Sequence, residues 1–281
     1  MSREKTALIV EGGAMRGVFS VGVLDVFLEH AFHPFDLALG VSAGACNLAS
    51  HLGGQRGRNY RAYFDLMTRR DFIDPLRALR GGSIVDLDWL WDELALRDPL
   101  NVSGVVGGST EFVVVATSAA SGAPVYLRPA EHDMFDVLKG SCALPMLYRP
   151  TIVVRDEPLV DGGVADPIPV EEAYRRGARR IVVVRSRPAA FFKKPGFESR
   201  AMPFLFRNRA ALVRAMQTSP ATYRRSVEFM LAPPPDCTIV QIAPPEPLAT
   251  KRTSRDKDAL GRDYALGRSL GLDAMNRWND N

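Results

Sequence analysis

Histidine, cysteine and long apolar runs are scarce in this chain. Its 281 residues include four histidines and three cysteines. An odd number of cysteines cannot pair completely, and Cys46 and Cys142 lie among small or apolar neighbours, so we expect reduced thiols in a cytoplasmic protein. No cluster of cysteine and histidine has the spacing of metal ligands, so neither a metal nor another cofactor is expected.

Targeting and membrane-spanning segments are also not evident. Residues 1–6 lead directly into an apolar run, unlike the basic and then apolar pattern of a signal peptide. No run approaches the roughly 18 apolar residues of a transmembrane helix. We therefore expect a cytoplasmic protein that meets a membrane, if at all, at its surface.

Short apolar runs alternate with segments of helical periodicity. With 46% hydrophobic residues, the chain can bury a large core. The alternation predicts an α/β fold with a mostly parallel central sheet, because parallel strands are covered on both faces and are nearly continuously apolar. The predicted strands are 7–10, 37–41, 112–117, 125–127, 152–154, 181–184 and 238–242.

The most informative motif is Gly40-Val41-Ser42-Ala43-Gly44, which has the form G-x-S-x-G. An apolar run precedes it and a small-residue helical pattern follows, so the serine stands at a turn from strand to helix. Such a turn exposes the hydroxyl, and the helix N-terminus favours developing negative charge. The pattern also arises by chance in chains rich in alanine and glycine, so alone it leaves Ser42 either a nucleophile or inert.

A serine nucleophile needs a base, and no histidine is well placed to serve. His51 follows on the same predicted helix, roughly 13 Å away at about 1.5 Å per residue. His30 and His33 fall at the far end of another helix, and His132 begins a third. All four are predicted to be surface or helix-end residues. If Ser42 is active, its base is expected to be a carboxylate.

Asp161 is the candidate carboxylate. It ends a short apolar run and precedes Gly162 and Gly163, which let the backbone turn sharply and let another segment approach. A partly buried aspartate has a raised pKa and can serve as a general base near neutral pH. Taken alone, the same D-G-G sequence is more typical of an ordinary turn.

A glycine-rich loop joins the first predicted strand to a long amphipathic helix. Its sequence is Glu11-Gly12-Gly13-Ala14-Met15-Arg16-Gly17. The backbone N–H groups of such a loop can bind phosphate or an oxyanion, and the loop can also be a plain connection. Ala14 replaces the second glycine of a dinucleotide-binding loop, and no G-K-S/T signature follows. An oxyanion hole suits a chain that also carries G-x-S-x-G.

Together these motifs resemble the patatin-like phospholipases. The Gly-Gly-x-x-Arg-Gly loop, the G-x-S-x-G turn and the D-G-G sequence follow the order of that family. A Ser-x-Ala-x-Pro block, which begins at Ser141, stands between the last two. The resemblance covers residues 6–185, which we take as the catalytic core, and residues 186–281 add little to it.

The resemblance implies a three-layer α/β/α sandwich with a catalytic dyad of Ser42 and Asp161. The implied oxyanion hole is the backbone of Gly12, Gly13 and Ala14. The implied supporting residues are Arg16, which would brace the loop, and Gly17, Gly40, Gly44, Gly162 and Gly163. The family usually has glycine at the position of Ala14. Alanine there would cost on the order of 1 kcal/mol if its φ is positive, and nothing if its φ is negative.

Residues 186–281 are predicted to continue the same domain with a flap, the last strand and a C-terminal helix. Glu198 is the only acid between Arg185 and Arg225, where basic residues alternate with phenylalanines, although the whole chain carries a net charge of only +4. This mixture suits either an anionic membrane surface or a structural flap over the core. Nucleic acid is not expected as a partner, because no recognition motif accompanies the charges.

The sequence therefore predicts a serine lipid acyl hydrolase that acts on a phospholipid, a lysophospholipid or an acylglycerol. An acyltransferase or a general carboxylesterase would use the same dyad. A catalytically weak lipid-binding protein is the alternative outside the enzymes.

Overall fold

A sheet of eight strands lies at the centre of the structure, a computed structural model that describes residues 4–193 and 209–279. The strands are β1 (Lys5–Val10), β2 (Leu37–Val41), β3 (Glu111–Ser118), β4 (Pro124–Leu127), β5 (Ile152–Val154), β6 (Glu157–Asp161), β7 (Ala178–Val184) and β8 (Thr238–Ile242). Their order is β5–β6–β3–β2–β1–β7–β8, with β4 paired to β3. Strands β3, β2, β1, β7 and β8 are parallel, and β4, β5 and β6 run antiparallel to their partners.

Helices cover both faces of this sheet. They are α1 (Val18–Glu29), α2 (Ala43–Leu52), α3 (Arg58–Arg61), α4 (Pro75–Leu79), α5 (Leu87–Arg97), α6 (Val102–Gly107), α7 (Met134–Cys142), α8 (Val170–Arg175), α9 (Ala210–Leu231) and α10 (Lys257–Asn279). Within the described ranges, no helix combines the length and the apolar character needed to cross a bilayer.

Alternate side chains of the central strands enter two separate cores. In β1, Leu8 and Val10 belong to a core shared with α1, α2 and α10, whereas Ala7 and Ile9 belong to one shared with α8 and α9. Burial on both faces explains why these strands are almost entirely apolar. The expected three-layer α/β/α sandwich with a mostly parallel sheet is confirmed.

Neighbouring residues of β3 bring two strand ends together. Val41, the last residue of β2, pairs with Val115, and Asp161, the last residue of β6, pairs with Ala116. Ser42 follows Val41 directly, so β3 holds the segments that carry the candidate serine and aspartate side by side. This point lies at the carboxyl ends of parallel strands, where open α/β sheets usually bind ligands.

The helix that contains Pro220 differs from the prediction. The sequence predicts separate helices over 210–217 and 222–231, but α9 continues through Pro220 as one helix. A proline inside a helix costs about 3 kcal/mol. Burial of Leu212, Tyr223 and Val227 on both sides of the proline offsets this cost.

Candidate active site

Ser42 and Asp161 are in direct contact. The Ser42 hydroxyl donates a hydrogen bond of 2.7 Å to Asp161 Oδ2, although 119 positions separate the two residues. Both side chains are largely buried and line the same cavity. The short contact suits transfer of the hydroxyl proton to the carboxylate.

Ser42 occupies a strained turn between β2 and α2. Its φ is 54° and its ψ is −129°, a conformation that residues other than glycine rarely adopt. A Cβ on Gly40 would collide with Ala45 Cα, and a Cβ on Gly44 would collide with the Val10 carbonyl oxygen. The glycines of the G-x-S-x-G motif are therefore required by close packing around the turn.

Ser141 fixes the backbone of this turn. The Ser42 N–H donates to Ser141 Oγ at 2.8 Å, and the Ser141 hydroxyl donates to the Val115 carbonyl at 2.6 Å. The Ser-x-Ala-x-Pro block is visible in the sequence, but its role is not, because the contact joins positions 99 residues apart.

The environment of Asp161 favours its neutral form. Burial raises the pKa of the Asp161 carboxyl, and four weaker influences oppose it. These are hydrogen bonds from the Ser42 hydroxyl and the Gly163 N–H, the latter at 2.8 Å, and the positive charges of Arg252 and Lys193. A raised pKa increases the proton affinity that a general base needs.

The D-G-G turn holds the backbone of Asp161 in place. The Thr117 hydroxyl donates to the Asp161 carbonyl at 2.9 Å. A Cβ on Gly162 would collide with the Val115 carbonyl oxygen, so glycine is needed where β6 meets β3. The Gly163 N–H donates a hydrogen bond to the Asp161 carboxylate.

The glycine loop lies beside Ser42. Gly12, Gly13 and Ala14 all line the cavity, and no hydrogen bond among the described residues uses the N–H of Gly13 or of Ala14. Ala14 has a φ of 50°. This positive value costs an alanine on the order of 1 kcal/mol relative to a glycine. The Arg16 N–H donates to the Gly13 carbonyl at 3.1 Å, so the backbone of Arg16 closes the loop while its side chain lines the cavity.

Glu11 ties the loop to the C-terminal part of the chain. Its carboxylate accepts a hydrogen bond of 2.7 Å from the Ser186 N–H and one of 3.0 Å from the Tyr223 hydroxyl. Arg185 donates to the same hydroxyl at 2.8 Å, and the Ser186 hydroxyl donates to the Gly12 carbonyl at 2.7 Å. The sequence does not reveal this network, because each of its bonds to the loop spans more than half the chain.

The dyad faces a mostly apolar cavity of about 630 Å³. This volume lies within the usual range of small-molecule sites. The apolar side chains of its wall include Phe72, Ile73, Val85, Leu87, Leu90 and Leu94. A cavity of this character can hold a hydrocarbon chain next to Ser42.

Five cationic residues line the same cavity. They are Arg16, Arg58, Arg187, Lys193 and Arg252. Burial, followed by the charges of Arg187 and Arg252, lowers the pKa of Arg16 to about 10. The cavity therefore combines apolar walls with a positive potential that attracts an anionic group.

None of the four histidines lines this cavity. His30, His33 and His132 are exposed, as predicted. His51 lies in the last turn of α2, as predicted for a helix-end residue, but it is buried rather than on the surface. Its Nδ1 lies 3.3 Å from the Leu24 carbonyl oxygen. Burial, with a smaller effect from His33, lowers the pKa of His51 to about 4.

Only part of the basic and aromatic flap can be located, since residues 194–208 lie outside the described residues. In the described part, the Phe191 ring lies 5.7 Å from the Tyr223 ring, and Arg224 lies over Phe192 at 5.3 Å. Both phenylalanines are partly buried against the core beneath α8 and α9. This part of the segment therefore covers the core.

No group of histidine, cysteine, aspartate and glutamate that could hold a metal ion occurs within residues 4–193 and 209–279. Cys46, Cys142 and Cys237 carry no disulfide.

Comparison with known proteins gives two family matches. The family described as patatin-like phospholipase matches residues 8–174, and the domain of unknown function DUF6363 matches residues 209–281. The uncharacterized protein YjjU of Escherichia coli K12 is 37% identical over 271 residues, which are 95% of this chain and 76% of that protein. The crystal structure of VipD from Legionella pneumophila aligns with 98% of this chain and 67% of that chain, at 14% identity and a TM-score of 0.47.

The first family match covers more than half of the chain. It includes the glycine loop, the G-x-S-x-G turn and the D-G-G turn that meet at the cavity. The chain therefore belongs to the patatin-like phospholipases, a family of lipid acyl hydrolases.

Proposed function

We propose that this protein is a serine lipid acyl hydrolase in which Ser42 is the nucleophile and Asp161 is the general base. The observation that carries the proposal is the 2.7 Å hydrogen bond between these two side chains in the wall of an apolar cavity. The strained turn that presents Ser42 supports the same role.

Acyl transfer to the enzyme is the first half of the proposed reaction. Ser42 Oγ attacks the ester carbonyl carbon while Asp161 accepts the hydroxyl proton. Negative charge then develops on the carbonyl oxygen, where the N–H groups of Gly12, Gly13 and Ala14 stabilise it. The ester C–O bond breaks, the proton on Asp161 passes to the leaving alcohol, and the acyl group stays on Ser42.

Water completes the proposed cycle. It attacks the acyl carbon as Asp161 accepts one of its protons, and the same loop stabilises the second oxyanion. The bond between the acyl carbon and Ser42 Oγ then breaks. The proton returns from Asp161 to the serine, and the fatty acid leaves.

The cavity favours a phospholipid or a lysophospholipid over a neutral acylglycerol. Its apolar wall suits an acyl chain, and the cations around Arg16 suit a phosphate group. Hydrolysis of a panel of phospholipids, lysophospholipids and acylglycerols, followed by mass spectrometry of the products, tests this choice. We expect free fatty acid from the phosphate-containing lipids with wild-type protein and none with the Ser42→Ala variant. Equal release by both proteins would contradict the proposed function.

The acyltransferase alternative has its own readout in the same assay. An added alcohol would appear as a new ester if the acyl-enzyme reacts with acceptors faster than with water. Release of fatty acid at an unchanged rate, without a new ester, supports the hydrolase.

We also infer that residues 186–281 continue the catalytic unit. Two described contacts support this inference: Tyr223 bonds to Glu11, and the Met15 N–H donates to the Arg252 carbonyl at 3.3 Å. Removal of residues 209–281 should then abolish hydrolysis by the purified protein, and an active truncated chain would contradict the inference.

Peripheral contact with an anionic membrane is a separate proposal. It rests on the basic and aromatic composition between Arg185 and Arg225. Co-sedimentation with vesicles of phosphatidylglycerol should weaken as salt rises, because basic residues near such a surface contribute about 1 kcal/mol each and are screened. Equal binding to neutral and anionic vesicles would contradict this proposal.

A further inference from the structure

Two thiols meet beside the candidate nucleophile. The Sγ atoms of Cys46 and Cys142 are 3.4 Å apart, although the residues lie 96 positions apart in the chain. Cys46 is in the first turns of α2, just after Ser42, and Cys142 ends α7. Both residues are partly buried and line the cavity that contains Ser42.

Cys142 stands between two residues that position the dyad. Ser141, before it, accepts the hydrogen bond from the Ser42 N–H at 2.8 Å. Ala143, after it, accepts a hydrogen bond of 3.1 Å from the Asp161 N–H. A shift of Cys142 therefore moves the backbone contacts of both the serine and the aspartate.

We propose that Cys46 and Cys142 are a reversible oxidation site, and that a disulfide between them switches off hydrolysis at Ser42. The second clause rests on the proposed function. A disulfide bond is about 2.05 Å long, so the two sulfurs must approach by more than about 1 Å. The bond would join α2 to α7 covalently next to the residues that hold the dyad, and we expect it to shift them. Misplacement of reacting groups by about 1 Å can slow an enzyme roughly a hundredfold.

The oxidation balances with a peroxide as the oxidant. The Cys46 thiol first loses its proton, and the thiolate attacks one peroxide oxygen. The O–O bond breaks to give a sulfenic acid and hydroxide, and the hydroxide takes up the released proton to form water. The Cys142 sulfur then attacks the Cys46 sulfur and expels hydroxide, which takes the proton of the Cys142 thiol. Two thiols and one hydrogen peroxide thus give one disulfide and two waters, and a dithiol reductant reverses the change.

The first attack is assigned to Cys46 because the surroundings of Cys142 disfavour its thiolate. The pKa of the Cys142 thiol is raised by its hydrogen bond with Cys46, by burial, and by the negative charge of Asp161. A neutral thiol is a poor nucleophile toward peroxide.

Treatment of the full-length protein with hydrogen peroxide tests the proposal. We expect the intact mass to fall by two hydrogens, and a proteolytic digest to contain one peptide pair that joins Cys46 to Cys142. Hydrolysis of a soluble short-chain ester should fall at least tenfold, and dithiothreitol should restore both the mass and the rate.

The third cysteine provides the matched control. Cys237 is buried and does not line the cavity, so Cys237→Ser should respond to peroxide as wild type does. After treatment with peroxide, Cys46→Ser and Cys142→Ser should each keep most of the hydrolysis rate of the same untreated variant. Equal inactivation of wild type and both variants would overturn the proposal.

Two other results would also overturn it. One is a peroxide-treated wild type without the joined peptides, and the other is complete joining without loss of hydrolysis. Failure of the proposed function gives a different pattern: the reduced protein would hydrolyse no ester, while the mass measurement would still show whether the disulfide forms.

Discussion

Tyr223 donates a hydrogen bond of 3.0 Å to Glu11, which connects helix α9 to the glycine loop across 212 positions of the chain. The same hydroxyl accepts a bond from Arg185, so it lies between a buried carboxylate and a buried guanidinium. Burial raises the pKa of Glu11, although the charge of Arg185 and the hydrogen bonds from the Ser186 N–H and the Tyr223 hydroxyl oppose the change. The conformation of the N-terminal loop therefore depends on residues of the C-terminal part.

Replacement of Tyr223 by phenylalanine tests this dependence. The ring and its contact with Phe191 remain, but Glu11 and Arg185 lose a buried partner. An unsatisfied buried polar group costs about 1–3 kcal/mol, so we expect the free energy of unfolding in urea to fall by about that amount. Hydrolysis should fall as well, because the loop beside Ser42 loses an anchor. Unchanged stability and rate would show that the network does not hold the loop.

The pH dependence of hydrolysis is expected to follow Asp161. The base must be ionised to accept the proton of Ser42, so the rate should fall as pH falls through the pKa of Asp161. Because burial raises this pKa, the midpoint should lie above the value of about 3.9 of an ordinary aspartate. A profile of kcat/KM against pH measures it. A rate that stays constant from mildly alkaline pH down to pH 4 would contradict the assignment of Asp161 as the base.

Asp161→Asn should stabilise the folded protein at alkaline pH. Because the pKa of Asp161 is higher in the folded than in the unfolded chain, the folded state holds the proton over the window between the two values. Stability is therefore lost as pH rises through that window. The neutral asparagine avoids this loss, so the Tm of the variant should exceed that of wild type at pH 8. The difference should shrink as pH falls toward the ordinary aspartate value.

Asp156→Asn is the control for this comparison, because it removes a carboxylate that is exposed to solvent. The Tm of this variant should stay close to that of wild type both at pH 8 and at a pH near the ordinary aspartate pKa. A Tm of Asp161→Asn below that of wild type at pH 8 would show that the ionised carboxylate stabilises the fold.

Two substitutions of Ala14 test separately the backbone conformation of the glycine loop and its N–H groups. Ala14→Gly relieves the positive φ but makes the unfolded chain more flexible, and the two effects are each on the order of 1 kcal/mol. We expect little change in stability and less than about a tenfold change in turnover, or roughly 1.4 kcal/mol in the barrier.

Ala14→Pro should have a much larger effect. Proline has no N–H and holds φ near −65°, far from the 50° of Ala14. Loss of one oxyanion donor costs on the order of a hundredfold or more in turnover. Urea unfolding of the same variant would show whether the rest of the fold is retained. Full turnover in Ala14→Pro would show that the loop is not the oxyanion hole.

Local patterns are sufficient to predict most strands of the sheet, although the predicted strands do not include Glu157–Asp161. The apolar run at Leu37–Val41 is a strand with the predicted bounds, because burial on both faces leaves a continuous apolar signal. The glycines around Ser42 mark the turn for a similar reason, since close backbone contact excludes any side chain there. The contact between Ser42 and Asp161 was expected only from the order of the family's motifs, and their catalytic roles stay a prediction.

Contacts between distant positions explain what the sequence did not reveal. The burial of His51, the bond from Tyr223 to Glu11 and the role of Ser141 each depend on elements that meet only in the folded chain. The sequence predicts two helices where α9 is continuous, because local propensity disfavours Pro220 inside a helix, but tertiary packing outweighs that preference.

Labelling with a fluorophosphonate tests the central claim most directly. This reagent forms a covalent bond with an activated serine, so its attachment does not depend on knowing the lipid substrate. We predict that wild-type protein takes up one label, that peptide mapping places it on Ser42, and that Asp161→Asn reacts far more slowly. Ser42→Ala should take up none. Absence of labelling in folded wild-type protein, or a label on another residue that persists in Ser42→Ala, would contradict the account.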